Sequence, residues 1–255
     1  MITVKSAREL ELMGRAGRVV GATLALVASR ARPGVSTADL DALAEEFIRS
    51  HDGATPSFKG LYGYPATLCT SLNDEVVHGI PSPRRVLREG DVLSVDVGAC
   101  IGGFHADSAL TVPVGPVPPA TEALLRTTDA ALAAGIAAVR AGAQVGDIGH
   151  AVQQVAEEAG YSVVRELVGH GIGSAFHEEP QVPNFGAPKK GVRLLAGMTI
   201  AIEPMVNAGR REVRTLSDKW TVVTADGSLS AHFEHTVVVT DDGARILTGR
   251  PASTS

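Results

Sequence analysis

The chain has 255 residues, 44% hydrophobic and 20% charged, with a net charge of −5. This composition belongs to a globular protein with room for a large core, and its charge argues against a dedicated nucleic-acid binder. No apolar run reaches transmembrane length, and Met1-Ile2-Thr3-Val4-Lys5 lacks the apolar stretch of a signal peptide. Two cysteines, Cys69 and Cys100, make no disulfide framework and suit a reducing cytoplasm.

Ser6-Ala7-Arg8-Glu9 reads as a capping box that opens a helix to about Ser29, broken at Arg32-Pro33-Gly34. Ser36-Thr37-Ala38-Asp39 opens a second helix to about Ser50, with Leu40, Leu43, Ala44 and Phe47 on one face. Residues 51–75 are loop-rich. Val92 to Val97 and Phe104 to Val112 read as strands around a Gly102-Gly103 turn. Helices are expected over Thr121 to Ala141 and Asp147 to Ala159. Strands follow at 161–167, 198–204, 219–224 and 230–240, with Asp226-Gly227 as a hairpin turn. The tail from Gly249 is expected to fray.

The second half repeats the first. Arg32-Pro33-Gly34-Val35 with Asp39 matches Arg140-Ala141-Gly142-Ala143 with Asp147, 108 residues on. Gly90-Asp91-Val92-Leu93-Ser94-Val95-Asp96 matches Gly197-Met198-Thr199-Ile200-Ala201-Ile202-Glu203, 107 residues on. Ala106-Asp107-Ser108 then matches Phe233-Glu234-His235. Near-constant offsets predict two helix-helix-sheet units joined near Val117-Pro118-Pro119. We expect one catalytic domain over residues 1–255, with half-repeats of about 5–116 and 117–249.

Five metal-type ligands fall at paired strand positions: Asp96, Asp107, His170, Glu203 and Glu234. A turn centred between Ile101 and Gly102 would set Asp96 directly opposite Asp107 on a buried sheet. Like charges in that position are destabilising. A divalent cation resolves the conflict by reversing the local field. Four carboxylates and one imidazole exceed the needs of one small ion, and bridging carboxylates can hold two metals about 3.5–4 Å apart. The mixed oxygen and nitrogen donors suit Mn, Fe(II), Co or Zn.

Asn73-Asp74-Glu75-Val76-Val77-His78-Gly79-Ile80-Pro81, Ser94-Val95-Asp96-Val97-Gly98 and Gly169-His170-Gly171-Ile172-Gly173 resemble methionine aminopeptidase segments. So do Phe176-His177-Glu178, Ile202-Glu203-Pro204-Met205 and Phe233-Glu234-His235-Thr236, in the same order and spacing. The likeness is to the short, type I form, which starts at the first helix and has no long insertion in the second half. It implies an α+β pita-bread fold, the creatinase/aminopeptidase fold, with two pseudo-symmetric helix-helix-sheet halves around a central antiparallel sheet. It also implies that Asp107 and Glu234 bridge two divalent metal ions. Asp96 would chelate one, while His170 and Glu203 complete the other.

The resemblance further implies the chemistry. Water activated by the metals attacks the first peptide bond of a chain that begins with methionine and has a small second residue. Glu203 would shuttle the proton to the leaving amine. His177 would donate a hydrogen bond to the scissile carbonyl oxygen, and His78 would position the substrate amide. Phe58, Tyr64, Cys69, Phe176 and Trp220 would line a slot for the methionine side chain. Leu61 departs from the Tyr that many relatives carry. Cys69 has no paired base and reads as a wall, not a nucleophile. His51, His105, His150 and His232 read as surface or structural residues, and His235 as a support facing away from the ligands.

The expected partners are nascent polypeptides and peptides with an N-terminal methionine. No specific nucleic acid and no membrane are expected; the protein should be a cytoplasmic monomer. Arg84-Arg85, Arg88, Lys189-Lys190 and Arg193 offer basic clusters for a transient ribosome contact, though such residues are more often plain surface. Two rival readings are a proline-directed peptidase of the same fold and a pita-bread protein that binds partners without catalysis.

Overall fold

A computed structural model describes residues 2–251. Of the tail expected to fray, residues 252–255 lie outside this range.

The first half opens with α1 (Ala7–Arg30). Ser6 caps it reciprocally with Glu9, as the capping box predicts. Met13, Ala16, Val20, Leu24 and Val27, three to four residues apart, turn one stripe to the core. Ser36 and Asp39 cap α2 (Thr37–Arg49) in the same way. The strands are β1 (Ala54–Pro56), β2 (Leu68–Leu72), β3 (Glu75–Val77), β4 (Val92–Ile101) and β5 (Phe104–Pro113). Long β4 pairs with β1 and β2 along one edge and with β5 along the other.

The β4–β5 turn corrects the expected register. Gly102 and Gly103 have φ of 60° and 81°, and Ile101 pairs with Phe104 across them. A two-residue turn with both φ positive matches the strand twist and suits glycine. The turn therefore lies one residue later than expected. Asp96 pairs with Ala109, and Asp107 with Gly98. A slip of two residues keeps both acids on one face, as diagonal neighbours.

The second half has α3 (Pro119–Ala137), α4 (Val145–Glu158), β6 (Ser162–Val163), β7 (Gly169–Gly171), β8 (Glu178–Val182), β9 (Thr199–Ile202) and β10 (Met205–Asn207). There follow β11 (Val213–Thr215), β12 (Val222–Thr224), β13 (Ser230–His232), β14 (His235–Val239) and β15 (Ala244–Ile246). Helix α3 ends before the expected Ala141 because the Ala141 and Gly142 amides turn to Thr240 and Leu194 carbonyls. The Asp226-Gly227 turn joins no hairpin: β12 pairs with β11 and β3, whereas β13 pairs with β10. Its Asp226 carboxylate instead accepts the Arg210 and Ser228 amides.

The repeat is visible in backbone contacts. Gly34 and Leu87 bond to Leu87 and Val35, as Gly142 and Leu194 bond to Leu194 and Ala143. Gly90 reaches Val114 as Gly197 reaches Val239. The larger second-half sheet runs β15-β14-β9-β7-β8.

Where the halves meet, β5 faces β13 and β14 through a seam made largely by hydroxyls. Thr236 Oγ1 accepts the Asp107 amide at 3.0 Å and donates to the Asp107 carbonyl at 2.8 Å. Thr111 Oγ1 does the same for His232, at 2.8 Å each. Between them Glu234 N donates to Ala109 O at 3.0 Å, and Ser108 Oγ to Glu234 O at 2.5 Å. Both Asp107 and Glu234 thus sit in this seam with their backbones fixed.

Thr236→Val keeps the shape and deletes the hydroxyl, leaving both buried Asp107 backbone groups unpaired. We expect a loss of about 1–3 kcal/mol, measured by urea unfolding. An unchanged midpoint and slope would show that the seam contributes nothing.

Candidate active site

Glu203 and Glu234 come from paired breaks in two strands. Ile202 pairs with His235, and after the gap Met205 pairs with His232, so the register runs on unbroken. That register sets Glu203 opposite Glu234. Pro204 has no amide to donate, and Glu234 sends its amide to Ala109 in the other half. Asn184 Nδ2 holds the Glu203 carbonyl at 3.0 Å. β9–β10 and β13–β14 therefore open at the positions that supply the two glutamates.

β4 and β5 bring Asp96 and Asp107 to the same place, and β7 brings His170. Donor atoms of Asp107, His170 and Glu234 lie within 4.8 Å of one another. His170 Nδ1 donates to Gly171 O at 2.8 Å, which leaves Nε2 as a bare lone pair. It stands 3.6 Å from Glu203 Oε1 and 3.9 Å from Asp107 Oδ2.

All twelve residues singled out from the sequence line one cavity of about 200 Å³. Besides the five ligands these are His78, His177, Phe58, Tyr64, Cys69, Phe176 and Trp220. Phe58 and Phe176 meet edge to face at 5.4 Å, and Tyr64 and Trp220 at 5.0 Å. Gly98 makes room for the first pair: a Cβ there would stand 2.9 Å from Phe176 Cε2. Tyr64 is fixed by its hydroxyl, 3.0 Å from the Leu68 and Gly79 carbonyls. His78 has a φ of 62°, a conformation that costs a non-glycine residue energy and collects at functional sites. The next residue, Gly79, is bonded through its amide to Ser71 Oγ and through its carbonyl to the Thr70 amide.

Burial dominates the electrostatics. It pushes the Asp96 carboxyl up to about 7. It raises Asp107, Glu203 and Glu234 well above the usual carboxylate range, and for each the neighbouring acids add to the effect. Burial also holds His170 and His78 down at about 4, so both are neutral at pH 7. Oxygens of Asp96, Asp107 and Glu234 are buried without any hydrogen-bond partner. Orphaned carboxylate oxygens beside a free imidazole lone pair fit divalent cations, whose charge removes the repulsion. Burial, then Asp96, raise the Cys69 thiol well above its ordinary value, so Cys69 is no thiolate nucleophile.

Of the cavity residues to which the sequence reading gave no site role, two carry polar side chains, His232 and Tyr62. His232 lines the cavity with Nε2 unpaired, and burial lowers it to about 3. The signal was its place two residues before Glu234, on the same strand face. Tyr62 is 73% exposed, stacks on His177 at 5.7 Å and places its hydroxyl 3.3 Å from Nδ1. The remaining histidines lie outside the cavity. His105 Nδ1 meets Ser57 Oγ at 2.8 Å, His51 Nδ1 meets Phe47 O, and His235 Nδ1 meets Thr248 Oγ1 at 2.9 Å.

Residues 11–241 match the family described as metallopeptidase family M24. A methionine aminopeptidase of Clostridium perfringens is 51% identical over 97% of this chain and 99% of its own length. Methionine aminopeptidase 1 of Bacillus subtilis is 50% identical over the same shares. The crystal structure of a Thermotoga maritima methionine aminopeptidase superposes with a TM-score of 0.96 at 43% identity, covering 98% of this chain and all of that one.

The crowded carboxylates have a measurable consequence. The folded protein keeps a proton on Asp96 that the unfolded chain has lost, between pH 3.8 and about 7. This group therefore lowers the stability of the metal-free fold as pH rises through that window. Asp96→Asn should stabilise metal-free protein by about 1–3 kcal/mol at pH 8 and by little at pH 4. With Mn(II) added the order should reverse. Thermal unfolding with chelator and with metal at both pH values checks this; a gap independent of pH would contradict it.

Proposed function

This chain belongs to metallopeptidase family M24, among its methionine aminopeptidases, and we propose that its cavity removes the first methionine from peptides and nascent chains. The observation that carries this reading is the meeting of Asp96, Asp107, His170, Glu203 and Glu234 beside an aromatic slot in one small cavity. The fold is the pita-bread fold of that family, and the enzyme is a metal-dependent aminopeptidase. We read residues 1–255 as one catalytic domain with half-repeats of about 5–116 and 117–249.

The assigned roles are as follows. Asp107 and Glu234 lie in the seam between halves and would bridge two divalent ions. Asp96 would chelate one ion, and His170 with Glu203 would complete the other. Bound there, the ions would supply a Lewis acid that activates water and polarises the scissile carbonyl. Glu203 stands across from Glu234 in the strand register and 3.6 Å from His170 Nε2, and it would carry the proton from water to the leaving amine. His177 would donate a hydrogen bond to the carbonyl oxygen as negative charge develops. His78, rigid in its left-handed turn, would orient the substrate amide.

Specificity follows from the walls. Phe58, Tyr64, Phe176 and Trp220 present ring edges and faces to an unbranched thioether, a contact worth roughly 0.3–1.5 kcal/mol per ring. Cys69 closes the slot as a small neutral wall. The limited volume supports a preference for a small second residue. Among the described residues, no helix is long and apolar enough to cross a membrane. A cytoplasmic monomer that meets nascent chains suits this substrate. For a ribosome contact, Arg85 is already paired with Glu75 at 2.5 Å, which leaves Arg84, Arg88, Lys189, Lys190 and Arg193.

Metal-free protein, reconstituted anaerobically with Mn(II), Fe(II), Co(II) or Zn(II), should cleave Met-Ala-Ser and leave Xaa-Pro peptides intact. Asp107→Ala should abolish both tight metal binding and turnover. His177→Ala should lower kcat by about 100-fold while metal stoichiometry holds. Xaa-Pro cleavage without Met-Ala-Ser cleavage would overturn the reading, as would metal-independent turnover.

A further inference from the structure

The His177 imidazole is held by ring contacts with Tyr62, His170 and Phe176 rather than by a network of hydrogen bonds. The residue is exposed, and among the described residues its ring hydrogen-bonds only to Tyr62, itself largely exposed. Its place depends on the backbone of the loop between β7 and β8, which also carries Phe176. That loop is bonded at its near end, where Gly173 accepts the His105 amide at 2.9 Å and donates to Ala175 O at 3.0 Å. At its far end stands Glu178, next to His177.

Glu178 is tied to a distant part of the sequence. Lys5 Nζ meets Glu178 Oε2 at 2.5 Å, with side chains only 5% and 9% exposed. Thr3 Oγ1 donates to the same oxygen at 2.6 Å, and Lys5 Nζ also bonds Thr3 Oγ1. The other carboxylate oxygen accepts the Ala175 amide at 3.2 Å, closing the loop on itself. Lys5 is anchored in turn, since its amide donates to Gly197 O at 2.9 Å, just before β9. The pair packs onto bare backbone: a Cβ on Gly173 would lie 2.3 Å from Lys5 Cε and 2.5 Å from Glu178 Oε1. Buried ion pairs are costly and seldom justified by stability alone.

We propose that the buried Lys5–Glu178 ion pair is a positioning device for His177. It fastens the segment before α1 to the β7–β8 loop and so holds the imidazole at the cavity. The inference rests on the reading of His177 given above and deepens it. Lys5 and Glu178 touch no substrate; they act through the loop. A displaced His177 loses its bond to the developing oxyanion, so kcat falls while ground-state binding holds.

The test uses full-length, Mn(II)-loaded protein. Lys5→Met should lower kcat on Met-Ala-Ser by about 10-fold with KM within about 2-fold and metal stoichiometry unchanged. Amide hydrogen exchange over residues 174–178 should rise by about 10-fold, with the strands unaffected. Lys5→Arg should restore most of both. Should Lys5→Met fold poorly because its partner carboxylate is stranded, Lys5→Met/Glu178→Gln removes both charges and should still show low kcat and a loose loop. Wild-type kcat and loop exchange in either variant would overturn the proposal, as would exchange that rises evenly along the chain. Failure of the wild-type protein to cleave Met-Ala-Ser would sink the functional reading instead, while the exchange data would still judge the clamp.

Discussion

Four carboxylates buried around one imidazole impose the main constraint on this molecule. Burial raises all four, and Asp107, Glu203 and Glu234 are raised further by their acidic neighbours. No packing of apolar residues can offset such a group unless the scaffold prevents the acids from moving apart. The scaffold does this with backbone rather than side chains. Asp96 and Asp107 stand within a long, fully laddered hairpin. Glu203 and Glu234 stand at breaks where neighbouring ladder bonds on both sides fix the chain. The seam hydroxyls of Thr236 and Thr111 then lock the halves together at the acids themselves. Rigidity of this kind makes cations, and not conformational relaxation, the relief for the repulsion.

The pseudo-symmetry of the two halves sets so many acids face to face. Each half contributes a pair from adjacent strands, and the seam brings the pairs edge to edge. The halves are not copies at the site. The first uses a tight glycine turn and an unbroken ladder, whereas the second opens its strands and adds His170 from β7. Those differences break the symmetry of the donor set, with two aspartates on one side and two glutamates and an imidazole on the other. The longer glutamates reach from strand breaks that a regular pleat would not provide.

Much of this was legible in the sequence, for physical reasons that can be named. Capping boxes at Ser6 and Ser36 and the glycine punctuation at Gly34 and Gly142 carry local information and located the helices. The repeat offsets located the ligand strands. The exact hairpin register was not legible, because a turn centred one residue away satisfies the same alternation; only the positive φ of both Gly102 and Gly103 decides it. Nor was the fate of Asp226-Gly227, since a turn-forming pair says where the chain bends and not which strand it then joins. His232 was passed over because its one local mark, a place two residues before Glu234 on the same strand face, is shared by many structural histidines. Lys5 was invisible for a deeper reason: its partner lies 173 residues away, and nothing local to an N-terminal lysine announces burial.

The histidines complete the electrostatic logic. His78, His170, His177 and His232 all line the cavity, and burial lowers each of them, with neighbouring imidazoles adding to the effect on His78, His170 and His232. Protonated, they would neutralise the carboxylates themselves and compete with the cations the site is built to attract. Kept neutral, they add hydrogen bonds and a lone pair without adding charge. The site thus divides its work: carboxylates supply the field, imidazoles supply direction, and the aromatic walls supply fit. Acid would undo this division from both sides at once, by protonating the oxygens that bind cations and by charging the rings beside them. A cavity that kept the four acids and His170 but lacked His78 and His177 would still suit cations but would have nothing with which to orient a peptide bond.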